Sequence, residues 1–304
     1  MKRLFFIIFL PVIAVGAMWS QGQSEGMRKL SLADFAITNL YVDEVDENKL
    51  VEDAIRGMLD KLDPHSTYTT VEETREMNEP LQGNFSGVGI QFNMNKDTLY
   101  VIQTIVGGPS EKVGILAGDR IIAVNDTTIA GVKMKNTDIM KRLRGESGTV
   151  VRVTVLRKGV KEPIEFRIVR DKIPIYSIDA SYMADKETGY IRVSRFAVTT
   201  DKEFSDAIKE LKKKGMKNLI VDLQGNGGGF LTSAIAMADE FLADGQSIVY
   251  TEGRRSPRDD AFASKRGQFQ KGKLVLLVDE SSASASEILS GAIQDWDRGI
   301  ILNR

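Results

Sequence analysis

The 304-residue sequence predicts a mixed α and β fold in three parts, from three changes of texture along the chain. Residues 27–80 carry apolar side chains at helical spacing. Residues 83–171 hold five or six short strand-like runs between turn residues, with room for two small helices. Residues 172–304 alternate apolar strands with amphipathic helices, the pattern of an α/β layer joined by crossovers. Hydrophobic residues make up 42% of the chain and charged residues 27%, which is enough for a sizeable core.

The first 20 residues stand apart. Lys2 and Arg3 precede an apolar run from Leu4 to Ala17, broken only by Pro11, and Val15-Gly16-Ala17 offers small residues for a cut. This reads as a secretory signal peptide, or as a retained anchor, although a spanning helix needs about 20 apolar residues. Either way the remainder is expected to be exported, to the periplasm or anchored facing it. A polar linker follows. Ser31 with Asp34 marks a helix start, and Leu32, Phe35, Ala36 and Leu40 share one face. Leu50, Ala54, Ile55, Met58, Leu59 and Leu62 form a second stripe that ends at Asp63-Pro64. Thr70 with Glu73 opens a third helix. A small helical unit of this kind packs on a neighbour or on a second copy, so a homodimer through these helices is an expectation.

In the β-rich part, strands are expected from Gly87, over Leu99–Val106, Val150–Leu156 and Ile164–Val169, with helices at Pro109–Val113 and Thr137–Leu143. In the last part, Tyr190–Val193, Leu219–Leu223, Leu274–Val278 and a segment from Ile300 read as strands. A helix after Thr200 presents Phe204, Ala207, Ile208 and Leu211 and stops at Gly215. Ser233–Leu242 and Glu287–Trp296 read as helices. A net charge of −1 gives no reason to expect nucleic acid or an anionic membrane as partner. With no cysteine and one histidine, neither a metal site nor a cofactor is expected.

Two loops could carry chemistry. Ser281-Ser282-Ala283-Ser284-Ala285-Ser286-Glu287 lies between a buried strand and an amphipathic helix. A serine there can cap the helix. It can equally present its hydroxyl beside free N–H groups and the positive end of the helix dipole. Asp222-Leu223-Gln224-Gly225-Asn226-Gly227-Gly228-Gly229 also joins a strand to a helix, and its glycines permit backbone closed to other residues. It lacks the lysine and hydroxyl of a phosphate loop. Both turns sit at strand C-termini of one layer, where such layers place their sites. For a base, His65 is the only histidine and sits far upstream beside a turn, the setting of a capping or packing group. Lys265, Lys271 and Lys273 lie in a basic, exposed-looking loop.

Together the motifs resemble those of the C-terminal processing (tail-specific) peptidases, serine proteases with a Ser-Lys dyad and an inserted PDZ domain. Asp63-Pro64-His65-Ser66 with Tyr68, Gly107–Ile115 with Gly118–Ile122, Asp222–Gly229, and Ser282–Ile288 with Gln294-Asp295 match in the family's order. The resemblance implies a helical region at 27–80, a PDZ-like domain at 83–171 and a crotonase/Clp-like layered core at 172–304. It makes Ser284 the nucleophile, the N–H groups of Gly228 and Ala285 the oxyanion hole, and Asp295 an accessory charge. Gly87, Val88, Gly89 and Ile90 become the loop that holds a peptide's terminal carboxylate, with Ile90 shaping an apolar pocket. Substrates would be C-terminal tails of envelope or periplasmic proteins, with apolar last residues. The family's dyad lysine falls a few residues beyond Arg304, so the core is expected to be incomplete and this chain to have little or no activity. The alternative is a PDZ scaffold that binds tails without cutting them.

Overall fold

The computed structural model describes residues 24–303, so the expected signal or anchor segment at 1–20 lies outside them. The described residues fall into two compact units, divided between Thr74 and Arg75.

In the first unit, helix α1 spans Glu25–Leu40 and α2 spans Glu47–Leu59. Helix α1 begins earlier than the pattern implies. Ser24 caps it by accepting the Met27 N–H at 3.3 Å, and Ser31 lies within the helix. No stop signal separates Ser24 from Ser31, so the earlier cap prevails even with Gly26 inside, at about 1 kcal/mol. Asp46 caps α2 through the Lys49 N–H. The next helix, α3 (Val71–Asn78), opens as expected on a reciprocal box. Glu73 N–H donates to the Thr70 hydroxyl at 3.1 Å, and Thr70 N–H donates to the Glu73 carboxylate at 2.7 Å. No residue of α1 or α2 is buried, and Leu32, Phe35 and Leu40 are more than half exposed.

The second unit begins with a ribbon of β1 (Asn84–Gly87) against β8 (Asp171–Pro174). This ribbon brackets a five-strand meander of β2 (Ile90–Asn95), β3 (Thr98–Thr104), β4 (Arg120–Val124), β6 (Val150–Leu156) and β7 (Ile164–Val169), with β5 (Thr127–Thr128) pairing on β4. Helices α4 (Pro109–Val113) and α5 (Asn136–Leu143) close it. Val151, Val153 and Val155 alternate inward along β6 and pack with Leu99, Ile121, Ile139 and Ile168. Arg170 is buried and donates to the carbonyls of Arg142 at 2.7 Å and Leu143 at 3.2 Å, capping α5 with a cation where its dipole is negative.

The remaining sheet has the order β15-β14-β11-β10-β9. Strands β10 (Thr188–Val193), β11 (Asn218–Asp222), β14 (Leu274–Val278) and β15 (Ile300–Asn303) run parallel, and β9 (Ile178–Met183) is an antiparallel edge. Helices α6 (Thr200–Lys213), α7 (Leu231–Asp239) and α8 (Ala285–Asp295) supply the crossovers. Phe204, Phe241 and Phe269 meet edge to face in the core, at 5.8 and 6.3 Å. At Gly189 a Cβ would lie 2.4 Å from the Met216 sulfur, so the strand and the end of the helix can approach only without a side chain. The hairpin of β12 (Ser247–Gly253) and β13 (Ser256–Phe262), the edge β9 and the β1–β8 ribbon carry no strong apolar run, and the sequence pattern passed over them.

Buried Asp119 accepts both the Nε and Nη2 of Arg157 at 2.8 Å and the Leu116 N–H at 2.9 Å. Burial would raise its carboxyl, but the Arg157 bonds and the backbone donor outweigh it and hold it below the usual 3.8. Arg157→Ala leaves that carboxylate unpaired. It should cost about 2–4 kcal/mol in urea denaturation at neutral pH. Because the folded carboxyl is depressed, its contribution is present above the unfolded value and fades as pH falls through the folded one. The gap between wild type and variant should therefore narrow below 3.8.

Candidate active site

Strands β11 and β14 pair in parallel with Asp222 opposite Leu277, so the loops that leave their C-terminal ends lie side by side. Three ties bind the glycine-rich loop to the serine loop. Asp279 Oδ1 accepts the N–H groups of Gly225 and Ser281, each at 3.0 Å. The Ser282 hydroxyl donates to the Leu223 carbonyl at 2.8 Å. The Asn226 carbonyl accepts the Ala283 N–H at 3.1 Å and the Ser286 hydroxyl at 2.8 Å. The Gly225 N–H is the main reason the Asp279 carboxyl sits below its ordinary value.

Ser284 is exposed, at the turn between β14 and α8, with φ 55° and ψ −112°. A non-glycine residue in this region is strained, and such strain gathers at functional turns. Both its backbone polar groups are pinned. Its N–H donates to the Glu287 carboxylate at 2.6 Å, and its carbonyl accepts the N–H groups of Glu287 at 2.9 Å and Ile288 at 3.1 Å. Ser284 and Glu287 therefore hold the two positions of a capping box. The helix-capping and site readings of the serine run fall on one residue. The next N–H, of Ala285, has no acceptor among the described residues and lies at the positive end of α8.

Gly228, at φ 104°, presses directly on this turn. A Cβ there would lie 2.8 Å from the Ser284 Cβ, 2.8 Å from the Ala283 carbonyl oxygen and 3.0 Å from the Ala285 nitrogen. Gly228, Ser284 and Ala285 are thus brought together. The Gly228 N–H, however, donates to Asn226 Oδ1 at 2.9 Å, so here it is committed inward. Asn226 is wholly buried, and its Nδ2 donates to the Val193 carbonyl at 2.9 Å. Nothing in the sequence beyond an asparagine among glycines pointed to this hub. The tie to Val193 joins positions 33 residues apart in sequence.

Asp295 is not placed with Ser284. It closes the 11-residue helix α8 whose N-terminus Ser284 caps, which at 1.5 Å per residue separates the two by about 16 Å. The accessory charge that the resemblance gives Asp295 therefore lies at the far end of α8 from Ser284. His65 is exposed in the first unit, where Asp63 accepts its N–H at 2.9 Å and the Ser66 hydroxyl at 2.7 Å, an ordinary turn. Lys271 and Lys273 lie at the opposite end of β14 from Ser284. On the neighbouring strand, Tyr190 donates its hydroxyl to buried Asp222 at 2.5 Å, and Arg192 approaches the same carboxylate at 3.6 Å. Burial, then the Asp222 bond, pushes the Tyr190 phenol up to about 12. This clamp under the glycine loop went unnoticed in the sequence. Tyr190 and Arg192 do fall two apart on one face of a strand, and that was its only signal.

In the β-rich part a cavity of about 110 Å³ is lined by Val88, Gly89, Ile90 and Phe92 on one side and by Met140, Leu143 and Arg144 on the other, with Phe85. Gly87 ends the flanking strand β1. Gly89 takes φ 73°, and a Cβ there would meet Ile173 Cδ1 at 2.9 Å. The Arg144 guanidinium stacks 5.0 Å above the Phe85 ring and pairs with Glu79.

Three segments match family models: residues 187–303 match peptidase family S41, residues 86–168 the PDZ domain, and residues 14–74 the activating protease CtpB N-terminal domain. The chain is 37% identical over 270 residues to a carboxy-terminal-processing protease of Bartonella bacilliformis, covering 86% of this chain and 60% of that protein. It is 33% identical over 308 residues to the carboxy-terminal processing protease CtpA of Bacillus subtilis, covering 96% of this chain and 65% of that one. Among solved structures, a photosystem II D1 C-terminal processing protease is 27% identical with a TM-score of 0.46, covering 92% of this chain and 81% of that chain. The chain thus spans 60% and 65% of the lengths of these two curated relatives.

The two neighbouring glycines separate strain from composition. Gly228→Ala should destabilise the protein by about 1–3 kcal/mol, since both its positive φ and the serine turn oppose a Cβ. Gly227→Ala meets nothing within 4 Å and has no positive φ, and should stay within about 0.5 kcal/mol in the same denaturation experiment.

Proposed function

Because this chain belongs to peptidase family S41, among the carboxy-terminal processing proteases that carry a PDZ domain, we propose that it acts on the C-terminal tails of exported proteins, with Ser284 as nucleophile. The observation that carries the reading is Ser284 itself. It is an exposed hydroxyl on a strained strand-to-helix turn, with a free N–H on the next residue and a glycine backbone pressed against it.

The chemistry follows from that arrangement. The Ser284 oxygen attacks the scissile carbonyl carbon and gives its proton to a base. The carbonyl oxygen becomes an oxyanion, which the Ala285 N–H and the N-terminus of α8 stabilise. Gly228 supplies a second donor once its N–H leaves Asn226. Collapse breaks the C–N bond, the amine departs with a proton, and water releases the acyl group from Ser284. The described residues bond the Ser284 backbone but bring no lysine or histidine to its hydroxyl. The proposed base is the lysine that the family resemblance puts in a later segment, completing a Ser-Lys dyad.

The PDZ domain would choose the tail. An extended peptide adds as a strand along β2, its carboxylate falls at Gly87–Ile90, and an apolar last side chain fills the cavity between Ile90, Phe92, Met140 and Leu143. The apolar stripe of α1, exposed in the single chain, supports pairing of two copies through the N-terminal helices. Residues 4–17 support export or anchoring. No helix of the described residues is long and apolar enough to cross a membrane. A second reading, a scaffold that binds tails without cutting them, draws on the commitment of the Gly228 N–H to Asn226.

The test uses the full-length protein and a peptide ending in apolar residues, with its C-terminally amidated form as control. Binding is followed by calorimetry and cleavage by mass spectrometry. Ser284→Ala should lower cleavage at least about a thousandfold and leave peptide affinity unchanged. Met140→Asp, at a partly buried position of the cavity wall, should weaken binding of the free-carboxylate peptide more than about tenfold. Binding without any cleavage would select the scaffold, and cleavage surviving Ser284→Ala would remove Ser284 from the mechanism.

A further inference from the structure

Two stretches distant in sequence, 212–217 and 264–273, contain eight cations and no carboxylate. The first holds Lys212, Lys213, Lys214 and Lys217, and the second Lys265, Arg266, Lys271 and Lys273. The fold joins them. Lys212 Nζ donates to the Gln268 carbonyl at 2.9 Å, and the Leu219 N–H donates to the Lys273 carbonyl at 2.9 Å. At Gly272 a Cβ would lie 2.3 Å from the Lys217 carbonyl oxygen. All eight residues are exposed.

Three of the eight have acidic partners: Lys213 with Glu210, Lys217 with Glu187, and Lys265 with Asp244. Lys212, Lys214, Arg266, Lys271 and Lys273 meet no carboxylate among the described residues. The surface is also held in shape. Arg298 donates to the carbonyls of Phe269 at 2.6 Å and Gly272 at 3.0 Å, and the Phe269 N–H donates to the Glu240 carbonyl at 2.8 Å. Eight cations less their three acidic partners leave this face at +5, so with the whole chain at −1 the rest carries −6. Charge is segregated on the surface rather than scarce, and a segregated face attracts an anionic partner that the net charge conceals.

The position of the face selects the partner. It lies at the N-terminal ends of β11 and β14, while the glycine and serine loops leave their C-terminal ends. At about 3.3 Å per residue, the five residues of β11 set the two edges roughly 15 Å apart. The cations are seven lysines and one arginine, mobile point charges rather than the planar forks that grip a single phosphate. The one aromatic residue in these stretches, Phe269, is buried, so the face lacks the stacking platform of a single-strand binder. A surface of exposed lysines suits an extended array of headgroups, where each cation contributes about fivefold to partitioning. A signal or anchor segment, as the Lys2-Arg3 and Leu4–Ala17 pattern is read, would bring the chain to a bilayer during export. We propose that this basic face docks on anionic phospholipid headgroups and turns the edge of the sheet that bears Ser284 away from the membrane.

The test compares partitioning of the full chain onto phosphatidylcholine vesicles with and without phosphatidylglycerol, at low and high salt. Wild type should bind the anionic vesicles at least about tenfold better, and salt should erase the difference. Joint Lys212→Glu, Lys214→Glu, Lys271→Glu and Lys273→Glu should abolish the gain, while Lys135→Glu, Lys158→Glu, Lys161→Glu and Lys172→Glu together should keep it. Equal binding of wild type to both vesicles overturns the proposal. So does undiminished binding of the first variant, which would assign attachment to the N-terminal segment. Tighter wild-type binding to an RNA oligonucleotide than to anionic vesicles overturns it too. If the first variant fails to fold by circular dichroism, Gln at the same four positions takes its place, and undiminished binding of that folded variant overturns the proposal in the same way.

Discussion

The parallel pairing of β11 with β14 is the constraint on which the candidate site depends. It puts two loops, separated by some fifty residues of chain, within hydrogen-bonding distance, and Asp279, Ser282 and Asn226 then tie them together. A strand pair buried between helices has little freedom to slide, because a shift of register would expose Val221 and Leu276. The approach of Gly228 to Ser284 is therefore set by the sheet. The absence of a side chain at Gly228 is a consequence of that approach.

The strain at Ser284 has the same origin. Its φ of 55° is sustained because Glu287 holds its N–H, the first turn of α8 holds its carbonyl, and Ala283 on one side and Ser286 on the other are bonded to Asn226. Ser286 lends its hydroxyl to this scaffold, and Ser282 lends its own to Leu223. Three serines in one short run thus have three different duties. Of these three Ser284 is the exposed one, and it stands at the head of a helix, which is why the proposed chemistry centres on it.

The strong local signals were legible in the residues. The strands at Val150–Leu156, Ile164–Val169 and Leu274–Val278, the box at Thr70 and Glu73 and the stop at Gly215 are all written within a few residues of one another, and the structure has them. The start of α1 was misplaced because two serines both satisfy the local rule, and helix formers between them extend the helix to the earlier one. Edge β9 and the β12–β13 hairpin were missed because a half-exposed pair needs no apolar run to form. The family resemblance made Asp295 an accessory charge, and the helix between them sets it at the other end of α8 from Ser284.

What the sequence determined by itself is the set of local conformations: which stretches bury an apolar face, where helices begin and stop, and where glycine lets the chain turn. These rest on interactions a few residues long. The tertiary structure decided what no local rule reaches. It decided that Asn226 reaches the Val193 carbonyl, that Tyr190 and Arg192 hold Asp222, and that two lysine-rich stretches merge into one basic face on a chain of net charge −1. Each of these joins residues on different elements or on different turns of a loop. Hydrogen bonds and charges act through space, and only a packed sheet brings such groups within their range.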